Sequence, residues 1–175
     1  MKLASFLAQL GSQSGAPGGG AAAALTGACG AALVEMTARL NDKRTKSSSG
    51  VSSKAASLRL KLLGLISKDA KAFALIQKTY PVRKKKPALW QKALKAGVQP
   101  PLEIAEASAS AALLAKKEKG RTSAWLESDR REALILLAAA FKSARLNVEI
   151  NLKEMTDTAF KSRVRGKLGS WRRNL

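Results

Sequence analysis

Leu58, Leu62, Leu65, Ala72 and Ile76 recur at spacings of four and three residues, a period that gathers side chains on one face of an α-helix and scatters them over both faces of a strand. The series has one gap, and its missing member is Asp69. An apolar stripe suited to a core therefore carries an acid. Leu3, Phe6, Leu7 and Leu10 repeat the helical spacing, as do Leu102, Ala105, Ala109, Ala112 and Leu113. Short polar, Gly- or Pro-bearing breaks separate these patterns. They predict a packed first helix over 3–10, a small-residue helix over 18–40, a loop over 41–52 and a long helix over 53–80 ended by the Pro81 to Pro87 stretch. A short helix over 89–97 follows, then a fourth long helix opened by Pro100 and Pro101 and closed by Gly120, a fifth over 128–152 and a last over 157–171. Ala, Leu, Lys and Arg dominate, and 175 residues suffice for one core. The expectation is a single domain, residues 1–175, of the all-α class: an antiparallel up-and-down helical bundle.

The chain has no His and a single Cys, Cys29, which excludes a Ser-His-Asp triad, a Cys-His pair and the usual His- or Cys-rich zinc site within one chain. Cys29 reads as a small core hydrophobe. The first ten residues are too short and too interrupted for a secretory leader, and the most apolar stretch, over 20–36, falls short of a membrane span, so a cytoplasmic protein is expected. Thirty-two Lys and Arg face twelve Asp and Glu, a formal net charge of +20. Three partners fit such an imbalance: nucleic acid, an anionic membrane surface or a multiply charged small anion.

With so few acids, each can be asked whether it faces water. Asp69 on its apolar stripe must be paired, hydrogen-bonded or protonated, and either a general acid–base or a buried ion pair results. Glu106 falls inside the Leu102–Leu113 face and reads as a group that orients a substrate or salt-bridges at a subunit interface, whereas Glu35 is assigned to a solvated edge. Asp129, beside a capping Ser128, suits a helix N-terminus as well as it suits catalysis. Asn147 and Asn151 lie one turn apart in an apolar stretch and could read the edge of a heterocycle, satisfy one another or stitch backbone ends together. Asp129 and Asn147 are separated by roughly 27 Å of helix at 1.5 Å per residue. They cannot both touch one small ring within a single subunit, so either the ligand is long or a second subunit brings the opposite ends together.

Gly15, Ala16, Pro17, Gly18, Gly19 and Gly20 precede a helix that opens on four alanines. The glycines leave free N–H groups at the positive helix end open to a ligand or to another helix. The run from Ser14 to Gly20, with Gly27 and Gly30-Ala31-Ala32-Leu33, resembles the opening of the cyclodeaminase/cyclohydrolase family. Asp69-Ala70-Lys71-Ala72-Phe73 is similar to that family's acidic segment, Pro101 to Glu106 to its Pro-Leu-x-x-Ala-Glu motif, Ser128-Asp129 to its Ser-Asp, and Asn147 to Asn151 to its Asn-Val-x-Ile-Asn signature.

The resemblance implies a dimerising bundle that binds folate in a groove near the dimer interface, with no prosthetic group and no metal. It implies either hydrolysis of 5,10-methenyltetrahydrofolate to the 10-formyl form or cyclodeamination of 5-formiminotetrahydrofolate. On this reading Asp69 and Asp129 are the catalytic candidates. Gly18, Gly19, Gly20, Glu106, Asn147 and Asn151 bind substrate, and Lys84 and Lys85 hold a polyglutamate tail. Ser67 stands where many cyclodeaminases carry a further acid, which disfavours ammonia release. The competing reading is a non-catalytic basic protein that binds folate polyglutamate or nucleic acid.

Overall fold

The computed structural model describes residues 2–175, and its regular structure is helical. The helices are α1 (Leu3–Leu10), α2 (Gly19–Thr45), α3 (Val51–Thr79), α4 (Pro87–Lys117), α5 (Glu127–Lys153) and α6 (Thr158–Arg172), with single 3₁₀ turns at Tyr80–Val82 and Ala124–Leu126. Helices α2 to α5 form the bundle. Gly20 lies on Asp69 and Gly27 on Leu62, so α2 and α3 are antiparallel; Gly30 on Leu137 and Gly27 on Ala140 run α5 antiparallel to α2. Ion pairs Lys61–Glu106 and Lys68–Glu103 show the same relation for α3 and α4. Helix α6 packs mainly on α4.

The core is built from small residues on α2 and larger ones opposite. Ala21, Ala24, Ala31, Val34 and Ala38 are fully buried against Leu62, Leu65, Leu137, Phe141 and Ile104. By length and apolar composition α2 is able to cross a membrane, contrary to the sequence expectation, but over half of that stretch is buried inside the bundle.

Several local expectations change. Helix α2 continues five residues past Leu40 because Asn41 is buried, its amide donating to Glu118 Oε2 at 2.9 Å and Thr122 Oγ1 at 3.2 Å. The expected short helix over 89–97 and the following long one are a single α4 that runs through Pro100 and Pro101. Ser128 caps nothing, since α5 starts at Glu127. Helix α1 is anchored by buried Phe6 and half-buried Leu10, with Leu3 and Leu7 exposed, and Leu113 is exposed on α4. Cys29 is exposed on the outer side of α2. Glu35 is not a solvated acid: its side chain is only 12% exposed and clamped by Arg39 at 2.7 Å and Arg59 at 2.8 Å. The Arg59 hydrogen bond, with help from Arg39, holds its pKa below the ordinary value.

A Cβ at Gly30 would lie 2.7 Å from Leu137 Cγ and 3.2 Å from the Ala133 carbonyl. Gly30→Ala gains about 1 kcal/mol of helix propensity but overpacks a fully buried contact at a cost of about 1–3 kcal/mol. The overpacking wins, and the variant should melt a few degrees below the parent in a thermal scan followed by circular dichroism.

Candidate functional site

The core seam of α3 changes character along its length. Leu62 and Leu65 are sealed inside, while Asp69, Ala72 and Ile76 are half-buried. From Asp69 onward the seam becomes the wall of a cavity of about 310 Å³ rather than solid core. Four stretches of sequence converge there: the Gly15–Gly20 turn, α3 at Asp69 to Ile76, α4 at Gly97 and Pro101, and α5 at Asn147 to Asn151. Gly15 turns the chain with φ of 71°, a conformation that L side chains rarely adopt. Gly18 then flanks α2, whose first N–H groups have no helical acceptor.

Asp69 sits directly on that helix end. A Cβ on Gly20 would fall 2.2 Å from Asp69 Oδ1, so only glycine lets the carboxylate lie against the α2 backbone. The Ala21 backbone N–H favours its charged form, but burial outweighs that effect and raises the pKa of Asp69 above the ordinary aspartate value. In a chain of thirty-two cations the acid has no ion pair among the described residues, whereas Glu35, Asp42, Glu103, Glu106, Glu118, Glu127, Glu149 and Asp157 each have one. The buried-ion-pair alternative for Asp69 is therefore not what forms. A desolvated carboxyl that opens onto a cavity, without a counter-cation, is suited to exchanging protons.

Across the cavity, Asn151 Nδ2 donates to the Gly97 carbonyl at 3.0 Å and Asn147 Nδ2 to the Ser143 carbonyl at 3.1 Å. Asn147 faces Gly19, where an added Cβ would stand 3.8 Å from its Nδ2. Phe73, Ile76 and Ile150 supply apolar walls, so the site combines a flat apolar lining with a few polar groups.

Of the residues expected from sequence, Gly18, Gly19, Gly20, Asp69, Asn147 and Asn151 come together. Glu106 does not. Its side chain is 45% exposed and reaches Lys61 at 3.5 Å on the outer α3–α4 groove, because the apolar face of α4 turns past it. Asp129, half-buried at the far end of α5, lies outside the cavity lining, as the helical rise requires. Lys84 and Lys85 are exposed on the turn between α3 and α4 and also lie outside it. Ser67 is exposed and bonds to the Gly64 carbonyl, so within one chain position 67 does not reach the cavity. Sequence reasoning passed over Gly97. Its only signal was a glycine just ahead of two prolines.

The fold and this site define a four-helix bundle with a cavity built around one desolvated acid. Residues 2–170 match the family model for formiminotransferase-cyclodeaminase, and the chain belongs to that family. It is 35% identical to a methenyltetrahydrofolate cyclohydrolase of Methylorubrum extorquens, over 89% of this chain and 81% of that protein. It is 32% identical to the formimidoyltransferase-cyclodeaminase of Sus scrofa, over 96% of this chain but 34% of the longer relative. The structure of formiminotetrahydrofolate cyclodeaminase from Thermotoga maritima superposes with a TM-score of 0.90 at 28% identity, covering 99% of this chain and 89% of that one.

An acid with a raised native pKa binds its proton more tightly in the folded state, so its ionisation lowers stability as pH rises from the unfolded to the native pKa. Asp69→Asn removes this loss. Its stability relative to the parent should therefore climb across that window and level off above it, measured by urea denaturation at stepped pH; a pH-independent difference would show Asp69 to be unperturbed.

Proposed function

We propose that this chain is a folate one-carbon enzyme that hydrolyses 5,10-methenyltetrahydrofolate to 10-formyltetrahydrofolate. The observation that carries the reading is Asp69, an unpaired, desolvated carboxyl in the cavity that the family motifs surround. The bacterial cyclohydrolase relative supports hydrolysis over cyclodeamination, since it and this chain match along most of both lengths. The relatives' activities likewise favour an enzyme over a basic binding module for nucleic acid.

The chemistry asks for one mobile proton. Asp69 as carboxylate takes a proton from water as its oxygen bonds to the methenyl carbon, and the C–N π pair neutralises the cationic bridge. The proton then passes to N5 as the C–N5 bond breaks with its electron pair on nitrogen. Loss of the carbinol proton leaves the formyl group on N10. One water is consumed and one proton released. The helix end at Gly19 and Gly20 and the amides of Asn147 and Asn151 hold the ring, and Phe73, Ile76 and Ile150 exclude bulk water from it.

Two outlying assignments belong to the same reading. Lys84 and Lys85 hold the glutamate tail as it leaves the cavity, since α3 climbs about 15 Å from Asp69 to its end at Thr79. Asp129 serves the cavity from a second copy of the chain, in a homodimer. The exposed apolar residues Ile135, Leu146 and Ile150 on α5 support such an interface, and Ile150 also lines the cavity.

Asp69→Asn should lower kcat for methenyltetrahydrofolate hydrolysis by about 10²–10⁴-fold, followed by loss of substrate absorbance, with calorimetric folate binding kept. An unchanged rate would remove Asp69 from the mechanism. In the parent, kcat/KM should fall with decreasing pH at a point above the ordinary aspartate range, because the carboxylate is the active form. Leu146→Glu should yield a folded monomer in light scattering with reduced turnover; a monomeric parent would sink the dimer.

A further inference from the structure

Helix α4 contains two consecutive prolines in its interior, and proline has no N–H to give to the carbonyl four residues back. Pro101 therefore leaves the Gly97 carbonyl without its helical donor. That carbonyl is not left bare: the Asn151 side chain, from the neighbouring α5, donates to it at 3.0 Å. Gly97 permits the approach. A Cβ there would stand 3.3 Å from Asn151 Nδ2 and 2.4 Å from Ile76 Cδ1, so any larger residue presses on both the amide and α3. Gly97, Pro101 and Asn151 all line the cavity.

The consequence is orientational. A carbonyl accepts only from a donor, so the hydrogen bond at Gly97 dictates which arm of the Asn151 amide is nitrogen. Oδ1 then occupies the other arm and has no hydrogen-bond partner among the described side chains and backbone. Asn147 is tied back in the same sense, its Nδ2 on the Ser143 carbonyl and its Oδ1 likewise unpartnered. The Asp69 carboxylate adds further acceptor oxygens to the same cavity.

We propose that Pro101 is a positioning residue: by withholding a helical N–H it hands the Gly97 carbonyl to Asn151, which locks Asn151 Oδ1 as an acceptor and makes the cavity select a ring edge rich in N–H donors. The ligand class rests on the folate reading above, in which a reduced pterin offers its 2-amino group and ring N–H groups. The lock itself rests only on the protein. Burial of an unmatched acceptor is costly, so a ring that lacks the donor is rejected.

Pro101→Ala restores an N–H four residues beyond Gly97 and should leave the helix intact, which circular dichroism checks. Side-chain amide NMR then reads the lock without any ligand. In the parent the Asn151 Nδ2 protons should exchange slowly, and in Pro101→Ala they should exchange at least about tenfold faster as the backbone N–H competes for the carbonyl. Unprotected protons in the parent, or equal protection in the variant, would overturn the positioning role. Kinetics reads the selectivity through two analogues of methenyltetrahydrofolate, one with methyl in place of the 2-amino group and one with methylene in place of N8–H. The parent should disfavour at least one by about tenfold or more in kcat/KM, and Pro101→Ala should raise KM for the natural substrate more than it lowers kcat while narrowing that preference. Equal use of both analogues by the parent would overturn the donor-edge selection and leave the hydrolase standing. A parent that binds no folate yet shows a protected, proline-dependent Asn151 amide would remove the hydrolase and the donor-edge ligand together, and would leave the lock established.

Discussion

The close approach of α2 to its neighbours underlies the rest of the structure. Helices pack at a distance set by the side chains between them, and along its inner face α2 offers glycine and alanine. Gly27 and Gly30 accept Leu62 and Leu137 almost against the helix backbone, and at the end of the same face Gly20 accepts the carboxyl of Asp69. One packing rule thus has two results. Where large apolar chains meet the glycines a dense core forms, and where an acid meets them water is removed from it. The raised pKa of Asp69 is a consequence of bundle geometry, with no salt bridge among the described residues to counter it.

That absence is informative because the chain is so basic. Most of its carboxylates are taken up by Lys or Arg, and two acids with little exposed surface illustrate how. Glu35 is held by two arginines; Glu118, 1% exposed, accepts from Asn41 and lies 3.7 Å from Arg121 at the end of the bundle away from the cavity. These pairs organise backbone ends and the α2–α3 surface. Asp69 is set apart from them by position alone, since the residues around it are glycine, alanine, amide and aromatic. Exposed cations such as Lys84 and Lys85 remain available to an anionic tail without reaching the reacting centre.

Much of this was legible in the residues, though unevenly. The period of Leu58, Leu62 and Leu65 specified a helix and flagged Asp69 because a charge on an apolar stripe is unusual wherever it occurs. The same argument misplaced Glu106, since a stripe on paper has no edge: the helix turns just enough to put Glu106 at the rim of the α3–α4 contact. It also misjudged Glu35 and Asn41, whose burial depends on Arg59 and Glu118, partners distant in sequence. The paired prolines were read as a helix start, a local rule that holds when nothing else can satisfy the freed carbonyls. In α4 the donor for Gly97 comes from Asn151, fifty-four residues away.

By itself the sequence determined the helical class, the approximate bundle, the family likeness and the identity of the central acid, because periodicity, small-residue runs and motif order are properties of the chain read locally. Only the tertiary structure decided which motifs share a cavity. It joined Gly20 to Asp69 and Asn151 to Gly97, and it excluded Glu106, Asp129 and position 67 from that cavity within one chain. The physical reason is that helix pattern fixes a face to within a turn, whereas contact between faces depends on how closely the helices approach and on which distant donor or cation reaches a group first.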